Sequence, residues 1–226
     1  MTTSFRSTII RFSALILLAS AFLYVTATLQ AAATGTLFSI SQSASSRVVL
    51  SQDGSTLASA EPDGRISVLD LATGLERASL ESGSGSIVTE LAMSPDGRTL
   101  ASLAAGVVTV WDVVSGRQRE FYAADPQSGG VRELVFGSNG RVLAAIEGDG
   151  RIVVWNVLSG AEQWVFSSPG DGFINDIALS PDGSMLASSV GATQITLWDL
   201  GAGEAGATIV NPSAATVTGI TFNPLG

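Results

Sequence analysis

A glycine recurs in this chain at a fixed interval of 43 residues, each time at the end of a similar four-residue segment. The second of these segments reads Ser94-Pro-Asp-Gly97, and the fourth reads Ser180-Pro-Asp-Gly183. Self-similarity at one period indicates that the fold is a stack of one repeated unit. The recurring residues are Gly54, Gly97, Gly140, Gly183 and Gly226.

Each unit contains four short apolar runs separated by turn residues. In the second unit the turn after the first run uses Pro95 to fix φ and Gly97 to supply a positive φ. The third run is rich in β-branched residues, which favour strands. Four short strands at a period near 43 predict an antiparallel meander that forms one blade of a β-propeller. The predicted blades are about 46–80, 88–122, 131–167 and 174–210, with the first strand of a fifth in 217–226.

The end of the third run repeats as well. Together with the Ser-Pro-Asp-Gly turns and the Leu-Ala-Ser second strands, it resembles the WD40 repeat family over about residues 46–226. The resemblance implies an all-β, WD40-like β-propeller that serves as a non-enzymatic scaffold for protein partners. The residues at the end of the third run are Trp111-Asp112, Trp155-Asn156 and Trp198-Asp199.

The repeats depart from the family pattern in two ways. The histidine that family members often carry before the first strand is absent, and the first unit has Leu69 in place of tryptophan. The family's aspartate between the second and third strands is kept only at Asp63 and Asp149. The resemblance therefore implies that packing, rather than the family's polar network, holds the blades together. This pattern is closer to bacterial than to eukaryotic WD40 proteins.

The first 33 residues have a different composition from the repeats. Arg6 and Arg11 precede the apolar run Phe12–Leu29, and Ala31–Ala33 offers a small-residue cleavage site. These features predict that 1–33 is a signal peptide. The run is also long enough as a helix to be an uncleaved membrane anchor, or alternatively a buried helix. We expect a helix outside the propeller domain (34–226), and an exported protein that is periplasmic or extracellular.

The predicted blades do not complete a ring. Four blades and one further strand leave two blade faces without a neighbour, although 36–40 could supply an outer strand. Exposing two blade faces would cost more free energy than a domain's usual stability of about 5–15 kcal/mol. We therefore expect an incomplete ring that is a fragment of a longer propeller, or one whose open faces are covered by partner chains.

Composition excludes several classes of function. The chain has no cysteine and no histidine, so disulfides, thiol chemistry and a Ser-His-Asp triad are impossible within it. The net charge of −9 argues against nucleic acid as a partner. We expect no cofactor, no metal and no enzymatic activity. The alternative is a fragment of a quinoprotein-like oxidoreductase. Two segments, Leu69-Asp-Leu-Ala-Thr-Gly74 and Trp155-Asn-Val-Leu-Ser-Gly160 followed by Trp164, resemble a stretch of quinone-cofactor propellers.

Acidic residues recur at one position of the innermost strand, seven residues before the turn glycine. Glu90, Glu133 and Asp176 occupy this position in three units, and Arg47 and Gly219 occupy it in the other two. One hypothesis is a carboxylate cluster near the central channel that binds a cation or a basic side chain of a partner. The alternative is that these carboxylates space the blades, by accepting backbone N–H bonds or by pairing with Arg47.

Acidic residues also collect in the loops at one rim of the predicted propeller. Glu81, Asp125 and Asp171 lie in or next to longer loops that contain glycine or proline, which makes these loops candidates for partner binding. Asp63 and Asp149 fit the requirements of tight turns instead. The remaining acids assigned to this rim are Glu61 and Glu147.

Overall fold

The computed structural model of the chain describes residues 28–30, 37–39, 47–82, 85–123, 129–168, 173–212, 216–217 and 219–223. The predicted signal or anchor segment (1–33) lies outside this part, except for residues 28–30. Thr28–Gln30 is a strand, β1, which pairs antiparallel with β2 (Leu37–Ser39) in a two-stranded sheet. The strand expected at 36–40 is therefore present, but it pairs with β1 rather than with a blade. No helix in the described ranges is long and apolar enough to cross a membrane.

The other described strands form four four-stranded antiparallel sheets, each in simple chain order. These sheets are the predicted blades, which we number I to IV. Blade I consists of β3 (Val48–Leu50), β4 (Thr56–Ala60), β5 (Arg65–Asp70) and β6 (Leu75–Glu81). Blade II consists of β7 (Val88–Met93), β8 (Thr99–Ala104), β9 (Val107–Asp112) and β10 (Gln118–Ala123). Blade III consists of β11 (Val131–Phe136), β12 (Val142–Glu147), β13 (Arg151–Asn156) and β14 (Glu162–Ser167). Blade IV consists of β15 (Ile174–Leu179), β16 (Met185–Val190), β17 (Gln194–Asp199) and β18 (Glu204–Val210).

The first strands of successive blades contact one another. The strand β7 touches β3 and β11, and β11 touches β15, so these four are the inner strands. No comparable contact joins β3 to β15 among the described strands. Blades I to IV are therefore an incomplete propeller. Residues 219–223 follow blade IV and are not paired into a sheet.

Each pair of neighbouring blades buries the same kind of core. The tryptophan of the later blade lies in one cluster with alanine and β-branched residues of the earlier blade. Between blades I and II, for example, Trp111 lies in one cluster with Ala58 and Ile66, which are completely buried. Fully burying a large apolar side chain contributes about 1.5–3 kcal/mol, so these interfaces provide much of the stability. The residues in the corresponding clusters of the other two interfaces include Ala101 with Trp155, and Ala144 with Trp198.

Leu69 of blade I occupies the place of the tryptophans. It is only partly buried, because its face of blade I has no earlier blade of the described part against it. The two tryptophans of blades II and IV each donate a hydrogen bond from Nε1 to a serine Oγ on the neighbouring strand, Ser102 at 2.8 Å and Ser188 at 2.9 Å. These hydrogen bonds fix each tryptophan ring against the neighbouring strand of its own blade.

The turns between first and second strands explain the recurring glycine. In blade II, Asp96 Oδ1 accepts hydrogen bonds from the Ser94 hydroxyl at 2.7 Å and from the Arg98 N–H at 3.1 Å. Gly97 then adopts φ +65°, and a Cβ there would lie 2.5 Å from Thr56 Oγ1 in blade I. The glycine therefore meets two needs, a left-handed backbone and the close approach of the preceding blade.

The two ends of the blades carry different connections. Because each blade is a meander, the turns from first to second and from third to fourth strands lie at one end, which we call the turn rim. The turns from second to third strands and the loops between blades lie at the other end, the loop rim. At the turn rim neighbouring blades are linked directly: Asp53 N–H donates to Pro95 O at 3.2 Å, and Asn139 Nδ2 donates to Asp182 O at 2.8 Å.

Candidate functional site

The recurring inner-strand position forms a continuous row near the loop rim. We call Arg47, Glu90, Glu133 and Asp176 the inner-strand row. In blades II, III and IV a β-bulge immediately precedes the acidic residue, with register shifts between Val88 and Glu90 and at the matching places. A bulge re-aims the side chain that follows it. The repeat therefore places these carboxyl groups on neighbouring strands in the same way.

The first pair in the row is an ion pair between blades I and II. Arg47 Nη2 lies 2.9 Å from Glu90 Oε1. Burial raises the pKa of Glu90, and the positive charge of Arg47 partly offsets that effect. The pair is accessible to solvent on its arginine side, so its energetic contribution is small.

The second pair in the row joins blades III and IV. Burial, followed by the charge of Asp176 and a side-chain hydrogen bond to it, raises the pKa of Glu133 to about 8, with a further contribution from Glu90 and an opposing one from Arg132. At neutral pH Glu133 therefore carries a proton that it can share with Asp176. Asp176 Oδ2 also accepts a hydrogen bond from the backbone N–H of Ile220, in the segment that follows blade IV.

These contacts give each member of the row a structural role. Glu90 pairs with Arg47, and Asp176 accepts a backbone N–H, as the blade-spacing alternative expects. Binding of a partner by the row is not tested by these contacts and remains a prediction. Among the described residues, no three acidic side chains are grouped so that they could hold a metal ion.

The remaining predicted site residues lie in the loops. Glu81 is exposed at the end of β6 on the loop rim, whereas Asp125 and Asp171 lie outside the described residues. The turn aspartates behave as expected, because Asp63 Oδ1 accepts the Arg65 N–H at 3.0 Å and Asp149 Oδ1 accepts the Arg151 N–H at 3.1 Å.

Sequence reasoning placed Glu147 among the acids of the rim, yet it is completely buried at the end of β12. Its Oε2 lies 2.7 Å from Nη2 of Arg151, which also bonds Asp149 through Nε at 2.8 Å. Just beyond it, Gly148 N–H donates to Gly130 O at 2.7 Å and fixes the loop before blade III. The pairing four residues apart, Glu147 with Arg151, is the sequence signal that could have revealed this structural role.

Two exposed apolar side chains on the loop rim were missed by the sequence reasoning. Ile87 and Phe173 immediately precede the inner strands of blades II and IV and are 52% and 66% exposed. Both lie at the same end of the inner strands as the row of carboxyl groups. The two side chains lie on different blades, so each is a separate candidate contact on a loop of a rigid scaffold rather than part of one apolar patch.

A cavity of about 300 Å³ lies along the inner strands on the turn-rim side of the row. Val135, Leu179 and Phe222 line it, together with Gln52 from the first turn of blade I. Its lining carries no charged side chain. Polar side chains, Gln52, Ser138 and Thr221, stand among the apolar ones, so the cavity is of mixed character and has no group that would orient a charged ligand.

Comparison with known proteins adds one finding. The sequence model of the family described as WD40, WD domain, G-beta repeat, matches residues 160–199, which run from the last turn of blade III through the third strand of blade IV. No curated protein matches the chain.

Proposed function

We propose that this chain, which is a WD40-type propeller, acts as a non-enzymatic protein-interaction scaffold whose contact surface is the loop rim. WD40 repeats commonly mediate binding between proteins. The observation that carries the location is that the connections between blades lie at this rim, where Glu81, Ile87 and Phe173 are exposed next to rigid strands. Recognition often uses loops of this kind because the scaffold fixes them in advance.

The partner surface should be basic as well as apolar. The chain carries a net charge of −9, and Glu81 is exposed on the same rim. Charge complementarity mainly affects the association rate and the exclusion of wrong partners, whereas buried apolar contacts determine much of the affinity. The carboxyl groups of Asp125, Asp171 and Asp176 are proposed to add to this acidic surface. Glu90 and Glu133 are proposed to contribute hydrogen bonds rather than net charge, because Glu90 is paired with Arg47 and Glu133 is protonated at neutral pH.

A selection with a random peptide library displayed on phage tests the proposal. Selected peptides should be enriched in arginine and apolar residues, and they should lose affinity for the double variant I87D/F173D. The matched control is V114D/L158D, which changes two aliphatic residues that are 67% and 76% exposed on the turn rim. Peptides that bind the loop-rim variant as tightly as the wild type, or that depend on the control residues, would refute the assignment.

Trp164 is one of the residues behind the quinoprotein-like alternative, and its contacts are packing contacts. Its Nε1 donates to Leu200 O of blade IV at 2.8 Å, and its ring fills the space next to Gly203. Phe166 stacks between it and Trp198, with centroids 4.6 Å from the latter. These contacts join blades III and IV and do not involve a ligand.

We also propose that the propeller works outside the cytoplasm. The support is the composition of residues 1–33, in which two arginines precede a long apolar run and small residues follow it. Expression of the whole chain in bacterial cells, followed by fractionation and N-terminal sequencing, tests this. Cleavage near Ala33 or recovery with the membrane would agree, whereas an intact chain in the cytoplasmic fraction would contradict it.

A further inference from the structure

We propose that Asn139 is a deamidation site whose reactivity is controlled by the docking of blade IV on blade III. Asn139 occupies the turn position that holds an aspartate in the other three blades. Gly140 follows it, so no Cβ hinders attack by the next backbone nitrogen. The aspartates at the matching positions are Asp53, Asp96 and Asp182.

The docked structure restrains the asparagine in two directions. Its Nδ2 donates to Asp182 O of blade IV at 2.8 Å, and its Oδ1 accepts the Arg141 N–H at 2.9 Å. The nucleophile is held too, because Gly140 N–H donates to Gly137 O at 2.8 Å. Only the first of these bonds depends on the neighbouring blade. When blade IV separates, only the Arg141 N–H still holds the side-chain amide, which then rotates more readily toward the Gly140 nitrogen.

The chemistry needs only water. The Gly140 nitrogen loses its proton to solvent base and attacks Asn139 Cγ, and a C–N bond forms. The Cγ–Nδ2 bond then breaks, and Nδ2 leaves as ammonia after taking a proton from water. Water adds to either carbonyl of the resulting succinimide and opens it to aspartate or to isoaspartate. No oxidation or reduction occurs.

The product weakens the contact that protected the residue. An aspartate at 139 has no hydrogen to donate to Asp182 O, and its carboxylate oxygen would face that carbonyl oxygen. Isoaspartate also inserts a methylene into the backbone of the turn, next to Gly140, which lies close to Ser94 and Pro95 of blade II. Each modified molecule therefore has looser contacts between neighbouring blades.

The rate of conversion in mildly alkaline buffer tests the proposal. Trypsin releases Glu133–Arg141 as one peptide with a single asparagine, so mass spectrometry follows the site directly. In the variant G183A the new Cβ would lie 2.0 Å from Asn139 Nδ2 and would displace the amide from Asp182 O. We expect conversion roughly threefold to tenfold faster than in the wild type, the change in population that follows the loss of one hydrogen bond.

Two control variants distinguish loss of the contact between blades III and IV from the general effect of an alanine at a turn glycine. G54A makes the same change at a turn whose Cβ would meet nothing within 4 Å, and it should leave the rate unchanged. G203A, which clashes with Trp164, loosens the same interface without touching Asn139 and should also accelerate conversion. It replaces G183A if that variant does not fold. Equal rates in the wild type and the loosened variants, or an N139D variant as stable as the wild type, would overturn the proposal.

Discussion

The contact between a turn and the preceding blade can be tested at two glycines that share one backbone conformation but have different neighbours. Gly54 and Gly97 both end the first turn of a blade, with φ of +70° and +65°. A Cβ at Gly54 would meet nothing within 4 Å, whereas one at Gly97 would lie 2.5 Å from Thr56 Oγ1 and 2.7 Å from Thr56 Cβ. Thr56 is completely buried, so it has little room to move.

The two substitutions by alanine should therefore differ in cost. A left-handed conformation costs an L-residue about 1–2 kcal/mol, and the reduced entropy of the unfolded chain offsets about 0.4–1 kcal/mol of that. These contributions are common to G54A and G97A. Overpacking against Thr56 adds about 1–3 kcal/mol in G97A alone. We expect G54A to lose about 1 kcal/mol and G97A about 2–4 kcal/mol.

Urea unfolding followed by tryptophan fluorescence measures the difference, since Trp111, Trp155 and Trp198 are buried between blades. The midpoint should fall clearly further for G97A than for G54A, with little change in the slope. Equal losses in the two variants would show that the turns do not contact the preceding blade. The explanation of the recurring glycine by the close approach of the preceding blade would then be wrong.

Three further predictions rest on single contacts. The hydroxyl of Thr196 is buried without a hydrogen-bond partner among the described residues, and blade III has Val153 at the matching position. The substitution T196V should therefore stabilise the chain by about 1 kcal/mol in thermal unfolding, and a loss of stability would contradict this. A Cβ at Gly203 would lie 2.1 Å from Trp164 Cζ3, whereas one at Gly116 would lie 4.0 Å from its nearest neighbour, Leu80. The substitution G203A should therefore lower the free energy of unfolding by about 1–3 kcal/mol more than G116A, and similar denaturation midpoints would be evidence against the Trp164 contact. The pKa of Glu133 is raised from its ordinary 4.5 to about 8, so the folded chain binds a proton that the unfolded chain releases. The stability from this proton is complete below pH 4.5 and is lost as the pH rises through 8. The variant E133Q should flatten this pH dependence of stability, and an unchanged profile would argue against the pKa shift.

The blade pattern was accessible from the sequence because turns, strands and packing repeat together. The turn chemistry of Ser94–Gly97 and the alternation around it depend on neighbours within one unit, so each blade could be predicted within a few residues. Blade I has Leu69 where the other blades have tryptophan, and this face of blade I has no described blade to pack against. The same periodicity predicted that Glu90, Glu133 and Asp176 would lie side by side.

Other features depend on contacts that the repeat does not encode. Glu147 is buried because Arg151 and the loop near Gly130 close over it, and neither contact follows from the period. Trp164 reaches blade IV because a glycine at 203 leaves room for its ring. The strand Thr28–Gln30 was assigned to the end of a helix, since an apolar run does not itself distinguish the two structures.

The most direct test of the account is a disulfide between turns of neighbouring blades. The chain has no cysteine, so a pair introduced at N139C and G183C would be the only one, in turns 44 residues apart whose atoms are in contact. The matched control is N139C with G54C, which places the pair in blades I and III. Mild oxidation should link 139 to 183 within one chain, as seen by peptide mass, and should leave the control reduced. Failure of the first pair, or equal crosslinking of both, would contradict the stacking of consecutive blades.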